Sequence, residues 1–346
     1  MIKEFKDTFF EIINTSEKIV ITSHISPDDD SIGSVLSLYT ILKSEFSNKD
    51  INIIYSGEII DRYNVFHNFE NIKWVDDISN HILDCDLLIM LDGSKYFRFS
   101  KNPEILEKIK NRVCIDHHQS PDINFTLYYI DPNYSSNCEL IYKILDAEKY
   151  LNSNLAELFL LGILGDTGNL IHINSNQTEV FSIVKKLVEV GEIRIDSFLS
   201  KYRTIPKIIV PILQEFVKNT TYIDIPNWPS AQYSFITKQF LKDKNLSDED
   251  ISAASHIYMS QYLTRIEGQS WGFVFSPRFD NDIRMSSRSM IGSVNVRIFS
   301  EQLGIGGGHD RASGASFKSE KGEVLEVEDC IEKVLDFMKK NVPVLS

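Results

Sequence analysis

A chain of 346 residues exceeds what one hydrophobic core serves, at ~100–200 residues per domain, so two domains are expected. Hydrophobic residues at 42% and charged residues at 25%, with 16 Gly and 10 Pro, exclude a collagen-like, low-complexity or disordered chain. The formal charge of -13 excludes wrapping of long duplex nucleic acid, which needs a broadly basic face, and leaves room for a short anionic ligand. Cys85, Cys114, Cys138 and Cys330 form no CxxC pair and read as small buried hydrophobes in a reducing compartment. Acidic residues interrupt the apolar ones at the N-terminus, unlike a signal peptide, and no run of ~20 apolar residues occurs. A cytoplasmic protein with no membrane association is therefore expected.

Short apolar runs at 18–24, 51–56, 86–92 and 112–116 predict strands, and longer amphipathic segments between them predict helical crossovers. Ile32, Val35, Leu36, Tyr39 and Leu42 recur at helical spacing, as one buried face of a crossover helix. Residues 155–165 are apolar nearly all round and predict a central helix reaching Asp166. The fold class is therefore α/β, with a parallel-sheet domain over 1–195. Pro206, Pro211, Pro226 and Pro229 punctuate a predicted linker at 196–228. A smaller mixed α/β domain over 229–346 would carry a strand from Ala231, a hairpin at 271–289 with an Asp/Asn-rich turn, a glycine run and a C-terminal helix. No repeat of fixed period is present.

Several predicted elements of the first domain end in a group that can bind a metal, and ligands of open α/β sheets bind at the carboxyl ends of strands. The first strand runs into His24, Asp28, Asp29 and Asp30, the third ends in Asp92, and the fourth in Asp116, His117 and His118. Asp166 follows the apolar helix. Alone, Asp30 reads as a helix N-cap, Asp92 and Asp166 as turn residues, and His117 with His118 as a capped or solvent-facing pair. Together, His24, Asp28, Asp30, Asp92, His117 and Asp166 at one sheet edge would repel as bare carboxylates and call for divalent cations. Imidazole mixed with carboxylate suits Mn²⁺, Fe²⁺ or Zn²⁺ better than Ca²⁺. Two such ions ~3.5–4 Å apart, sharing one carboxylate, would activate water and hold the oxygens of a phosphoryl displacement.

Four ordered stretches carry a resemblance: His24, Asp28, Asp30, Gly33 and Ser34; Asp92; Asp116, His117 and His118; and Gly165, Asp166, Thr167 and Gly168. They resemble the motifs of the DHH phosphoesterase superfamily. Ile283, Arg284, Ser286, Arg288 and Ser289, followed by Gly306, Gly307, Gly308, His309, Ala312 and Gly314, resemble the associated DHHA1 domain. The resemblance implies two divalent metal ions, Mn²⁺ first among them: His24, Asp28 and Asp92 would hold one, and Asp30, Asp92, His117 and Asp166 the other, with Asp92 as the bridge. It further implies that His118 faces the scissile phosphate, as a charge stabiliser or a proton donor to the leaving oxygen, while Asp116 orients a neighbouring histidine. Asp29 departs from the small residue common there and adds a negative charge beside the first ion; it is not assigned as a ligand.

The second domain is expected to supply anion binding. Arg265, Arg278, Arg284, Arg288, Arg297, Arg311 and Lys318 outnumber the acids between 265 and 318 by two. Arg284, Ser286 and Arg288, spaced by two, project from one face of a strand. The resemblance makes Arg284, Ser286, Arg288, Ser289, Gly306, Gly307, Gly308 and His309 the expected substrate contacts, in a domain that closes over the site. The expected function is Mn²⁺-dependent hydrolysis of short oligoribonucleotides, pApA or cyclic di-AMP, with a further adenosine 3′,5′-bisphosphate phosphatase activity, in a homodimer. The alternatives are a catalytically silent nucleotide-binding regulator and an enzyme like the family II pyrophosphatases.

Overall fold

The computed structural model describes residues 2–118, 124–242, 244, 246–278, 282–304, 306–318 and 325–346. The chain divides into two compact units, Met1–Thr204 and Ile205–Ser346. This boundary falls inside the stretch expected to be a linker, and that stretch is folded rather than extended. Its first part is helical because Phe198 and Tyr202 bury into the first unit's core, and its next helix buries Ile212 and Phe216 in the second unit. Among the described residues no helix is long and apolar enough to cross a membrane.

The first unit runs α1 (Ile2–Thr15), β1 (Lys18–Ser23), α2 (Asp29–Glu45), β2 (Asp50–Ser56), β3 (Ile72–Val75), β4 (Leu87–Leu91), α3 (Pro103–Leu106), β5 (Asn111–Asp116), β6 (Leu127–Ile130), α4 (Asn137–Ile144), α5 (Ser153–Asp166), α6 (Glu179–Gly191) and α7 (Ile195–Tyr202). Its sheet has the order β3-β2-β1-β4-β5-β6 and is parallel throughout. The chain moves outward one way from β1 to β3 and then restarts beside β1 with β4. The order reverses at the β1/β4 pair, where loops diverge and leave a crevice at the strands' carboxyl ends. The two strands that the apolar-run pattern did not predict, β3 and β6, are the sheet's edges. They are short and only partly buried, so the apolar signal that marks a central strand is weak in them.

Helix α2 departs from the single buried face that its spacing suggested. From Asp29 to Leu38 every side chain is buried, because the helix is covered by the sheet on one side and by α4 and α5 on the other. Gly33 permits that close crossing: a Cβ there would stand 2.7 Å from Leu158 O and 2.9 Å from Cys138 Sγ. On α5, a Cβ at Gly162 would collide with Cys138 Sγ and the Asp30 carboxylate.

The second unit contains α8 (Val210–Lys218), β7 (Thr221–Ile223), β8 (Ala231–Phe235), α9 (Lys238–Lys242), α10 (Asp248–Tyr258), β9 (Trp271–Pro277), β10 (Ile283–Ser289), α11 (Val296–Gln302), β11 (Gly306–His309), β12 (Ala312–Phe317) and α12 (Val327–Lys340). Its mixed sheet has the order β11-β12-β10-β9-β8-β7, with only the β8/β9 pair parallel. Strands β9 and β10 pair antiparallel as the hairpin reading expected; the turn residues 279–281 lie outside the described residues. Trp271, Phe273, Phe275 and Met285 form one core with α11 and α12, while Val274 faces the other way into a core with α8 and α10.

Gly33→Ala would gain ~1 kcal/mol of helix propensity in a solvated helix. Here the added methyl group meets the Leu158 carbonyl, so a net loss of ~1–3 kcal/mol is expected, read as a lower urea midpoint. An unchanged or higher midpoint would contradict the close α2/α5 crossing.

Candidate metal centre

The capping of α2 aims the first ligand pair. The N-cap is Asp28, whose Oδ1 accepts from Ser31 N at 3.0 Å while Ser31 Oγ accepts from Asp28 N at 2.9 Å. The capping role that the sequence suggested for Asp30 thus falls two residues earlier. With Oδ1 spent on the helix, Asp28 turns Oδ2 toward His24 Nε2, at 3.6 Å. Asp30 lies inside the first turn and is fully buried. Its carboxylate accepts from Asn137 N at 2.5 Å and from Cys138 N at 2.9 Å, two amides at the N-terminus of α4.

Asp92 follows β4 with φ of 55°, a left-handed conformation that Asp tolerates better than most residues, and is almost completely buried. Its Oδ2 lies 3.4 Å from His24 Nε2 and its Oδ1 lies 3.5 Å from His117 Nε2. One carboxylate therefore faces two separate histidines, one oxygen to each. His117 Nε2 is also 2.9 Å from Asp166 Oδ2 and 3.7 Å from Asp30 Oδ2. The groups His24, Asp28, Asp92 and Asp30, His117, Asp166 each bring ligand atoms within 4.8 Å of one another and could hold a metal ion.

The histidine rings are oriented through their remaining nitrogens. His24 Nδ1 contacts Ile25 O at 3.1 Å and His117 Nδ1 contacts Tyr134 O at 3.3 Å, so both present Nε2 to the carboxylates. Asp116 Oδ1 accepts from His118 N at 3.1 Å and pairs with His118 Nδ1 at 2.8 Å. The histidine that Asp116 orients is thus His118. His118 Nδ1 also lies 3.6 Å from Asp92 Oδ1, but the shorter Asp116 contact occupies that nitrogen.

These groups fit a divalent cation. His24 Nε2, His117 Nε2 and Asp92 Oδ1 are buried and make no hydrogen bond of normal geometry among the described residues, an expensive arrangement unless a ligand completes it. The titration of the bare site points the same way. Burial opposes the charge on His24, yet Asp28 and Asp92 raise its pKa to about 10. Burial likewise opposes the charge on His117, but Asp166 and Asp92 hold its pKa well above the usual imidazole range. Burial, with Asp92 and Asp166 nearby, pushes the Asp30 carboxyl well above its ordinary value. Protons thus stand where positive charge is needed.

The residues expected to bind substrate lie in the second unit. On β10, Arg284, Ser286 and Arg288 alternate with the buried Met285, Ser287 and Ser289. Ser289 is therefore on the opposite face from the three it was grouped with, since side chains alternate along a strand. Register links the rest: His309, Ala312 and Arg288 form one cross-strand row, and Gly307, Gly314 and Ser286 another. A Cβ at Gly307 would meet nothing within 4 Å, so this row is open above the backbone. Arg288 is half-buried, desolvation lowers its pKa, and among the described residues it has no carboxylate partner. Among the described residues its Nη1 donates to Ser287 O.

Three functional features escaped the sequence reading. Asn137, with its amide turned to donate to Ile115 O at 3.0 Å, accepts from Ser34 Oγ at 3.0 Å and from Asp92 N at 3.2 Å, while its own N–H holds Asp30. The Ser136 and Glu139 pair that starts α4 signals a helix N-terminus, though not its target. The other two features are Arg62 and Arg203, which bind Asp29, the residue expected to add a negative charge beside the first ion. Asp29 Oδ1 accepts from Arg62 Nη2 at 2.9 Å and Oδ2 from Arg203 Nη2 at 2.7 Å, so its charge is already matched.

Residues 18–163 match the DHH family, N-terminal domain. The chain is 25% identical over 341 residues to the bifunctional oligoribonuclease and PAP phosphatase NrnA of Mycoplasma genitalium, covering 95% of this chain and 99% of that protein. It is 26% identical to NrnA of Bacillus subtilis, over 91% of this chain and 94% of the relative. Identity to the cyclic-di-AMP phosphodiesterase PdeA of Listeria monocytogenes is 25%, over 94% of this chain but 48% of that longer protein. Among solved structures, an exopolyphosphatase-related protein from Bacteroides fragilis has the same fold, with a TM-score of 0.82 at 24% identity over 97% of both chains. The motif order, the convergence of its residues at one sheet edge and these similarities support a phosphoesterase of the DHH superfamily, whose N-terminal domain is matched by residues 18–163.

Proposed function

We propose that this protein hydrolyses phosphodiester bonds in short oligoribonucleotides and dinucleotides, with two divalent metal ions, Mn²⁺ foremost. The observation that carries this reading is Asp92, whose two carboxylate oxygens face separate histidine-centred groups at 3.4 Å and 3.5 Å. His24, Asp28 and Asp92 would hold one ion, and Asp30, Asp92, His117 and Asp166 the other. Bound there, the ions would supply Lewis acidity toward the phosphate and lower the pKa of water. His118, oriented by Asp116, acts on the reacting phosphate, as proton donor to the leaving oxygen or as stabiliser of developing charge. Arg284, Ser286, Arg288 and His309, beside Gly306, Gly307 and Gly308, bind a further phosphate-bearing part of the substrate. The names of the NrnA and PdeA relatives support oligoribonucleotides and cyclic di-AMP as substrate classes, and adenosine 3′,5′-bisphosphate as a third. A silent regulator is disfavoured by the complete set of converging ligands, with His118 beside them.

Asp92→Ala is expected to abolish stoichiometric Mn²⁺ binding in calorimetry together with turnover, while the chain stays folded because a like charge has been removed. His118→Ala should keep the metal stoichiometry and lose ~10²–10⁴-fold in kcat. Full activity of Asp92→Ala, or metal loss in His118→Ala, would reject the assignment.

Metal affinity should rise with pH. With its pKa raised to about 10, His24 carries a proton in the metal-free site at neutral pH and must release it to coordinate. Binding therefore expels protons below that pKa, and the apparent affinity climbs as pH rises toward it. Calorimetry in buffers of differing ionisation enthalpy measures the release; a pH-independent affinity without proton release would contradict it.

Catalytic efficiency should fall as RNA lengthens, because an acidic chain with a small local excess of cations satisfies few phosphates. Arg288→Ala and His309→Ala should reduce kcat/KM on a dinucleotide much more than on a small chromogenic phosphodiester. The check compares RNA of two, five and 24 nucleotides with the ester; equal losses on both, or efficiency rising with length, would refute it.

A further inference from the structure

Asp29 is a nearly buried carboxylate that the metal centre does not use. It stands between Asp28 and Asp30, so its Cα lies ~3.8 Å from those of two candidate ligands. It gathers three parts of the first unit: the start of α2, the turn Asp61–Tyr63 that follows β2, and the residue after α7. Besides the two arginines, Tyr63 OH donates to its Oδ1 at 2.7 Å. The arginines are braced by aromatic rings, Arg62 over Tyr63 at 4.5 Å and Arg203 over Tyr202 at 5.4 Å, and the two tyrosines stack on each other.

The balance of charge and exposure separates this cluster from an ordinary buried ion pair. One carboxylate lies between two guanidiniums, which leaves one positive charge over. The Asp29 side chain is 9% exposed, whereas those of Arg62 and Arg203 are 45% and 28% exposed. Arg203 spends Nη1 on Asn169 Oδ1 at 2.8 Å. Among the described residues Arg62 Nε and Nη1 have no acceptor. The cluster follows the carboxyl end of β2, the same edge that carries Asp92 and His117. Pre-oriented guanidinium donors with an unspent charge recognise the oxygens of a phosphate.

We propose that Arg62 and Arg203, held by Asp29, form a phosphate subsite that takes a terminal phosphate monoester of the substrate, separate from the phosphate being cleaved. The proposal rests on the hydrolytic reading above and names a preference within it: phosphorylated short substrates over unphosphorylated ones.

The test compares pApA with ApA, which lacks only the terminal phosphate, using the full chain loaded with Mn²⁺. Arg62→Gln and Arg203→Gln should each raise KM for pApA ~10–100-fold, as loss of a charge-assisted hydrogen bond does, while kcat changes less than ~2-fold. The advantage of pApA over ApA should shrink in both variants, and Arg62→Lys should restore part of it. An equal loss on both dinucleotides, or a loss confined to kcat, would overturn the proposal and leave Asp29 a structural tie. If the wild-type protein cleaves neither substrate, the hydrolytic reading fails on its own. Calorimetric titration with adenosine 5′-monophosphate and with adenosine then still decides the subsite. Tighter binding of the monophosphate in wild type that is lost in Arg62→Gln supports it, and equal affinity in both proteins overturns it.

Discussion

Mutual repulsion among carboxylates is the constraint around which the first unit is organised. Asp28, Asp30, Asp92, Asp116 and Asp166 gather at the β1/β4 switch point with His24, His117 and His118 between them. Ionised together in a dry site they would drive it apart, and three of the five are tied down by backbone amides. Asp28 caps α2, Asp30 receives two amides from α4, and Asp116 holds His118. The charge left over is what a divalent cation would neutralise.

Backbone geometry supports this arrangement at some cost. Asp92 has positive φ, a conformation tolerated where surrounding contacts over-determine it. Asn137 is one such contact, since its side chain reaches the Asp92 amide while its own amide reaches Asp30. Close packing adds the rest: the α2/α5 crossing has no space for a side chain at Gly33 or Gly162 and holds Asp30 and Asp166 at one edge. Gly33 and Gly162 thus serve the approach of helices, while Gly168, with φ of 57°, serves the turn after Asp166.

The two units divide the chemistry by charge. The first gathers acids and imidazoles that could hold cations, and its arginine pair Arg62 and Arg203 is organised by a carboxylate of its own. The second presents Arg284 and Arg288 beside bare glycine backbone on an otherwise well-packed mixed sheet. Desolvation lowers the pKa of Arg288, and among the described residues it gains no carboxylate partner, a position that an anionic ligand would fill.

Much of this was legible in the sequence. Local signals determined the central strands, the apolar helix ending at Asp166 and the order of the His and Asp motifs, because buried parallel strands and helices write continuous or periodic apolar patterns. The alternation of Arg284, Ser286 and Arg288 likewise followed from strand period alone. Only the tertiary structure decided what depends on contacts between distant residues. It moved the helix cap to Asp28, put Ser289 on the opposite face, drew the supposed linker into two cores and paired Asp29 with Arg203, 174 positions along the chain. The edge strands were hidden because half-buried residues carry little pattern. The partners of Asp29 and Asp30 were hidden because hydrogen bonds between separate elements leave no spacing in the sequence.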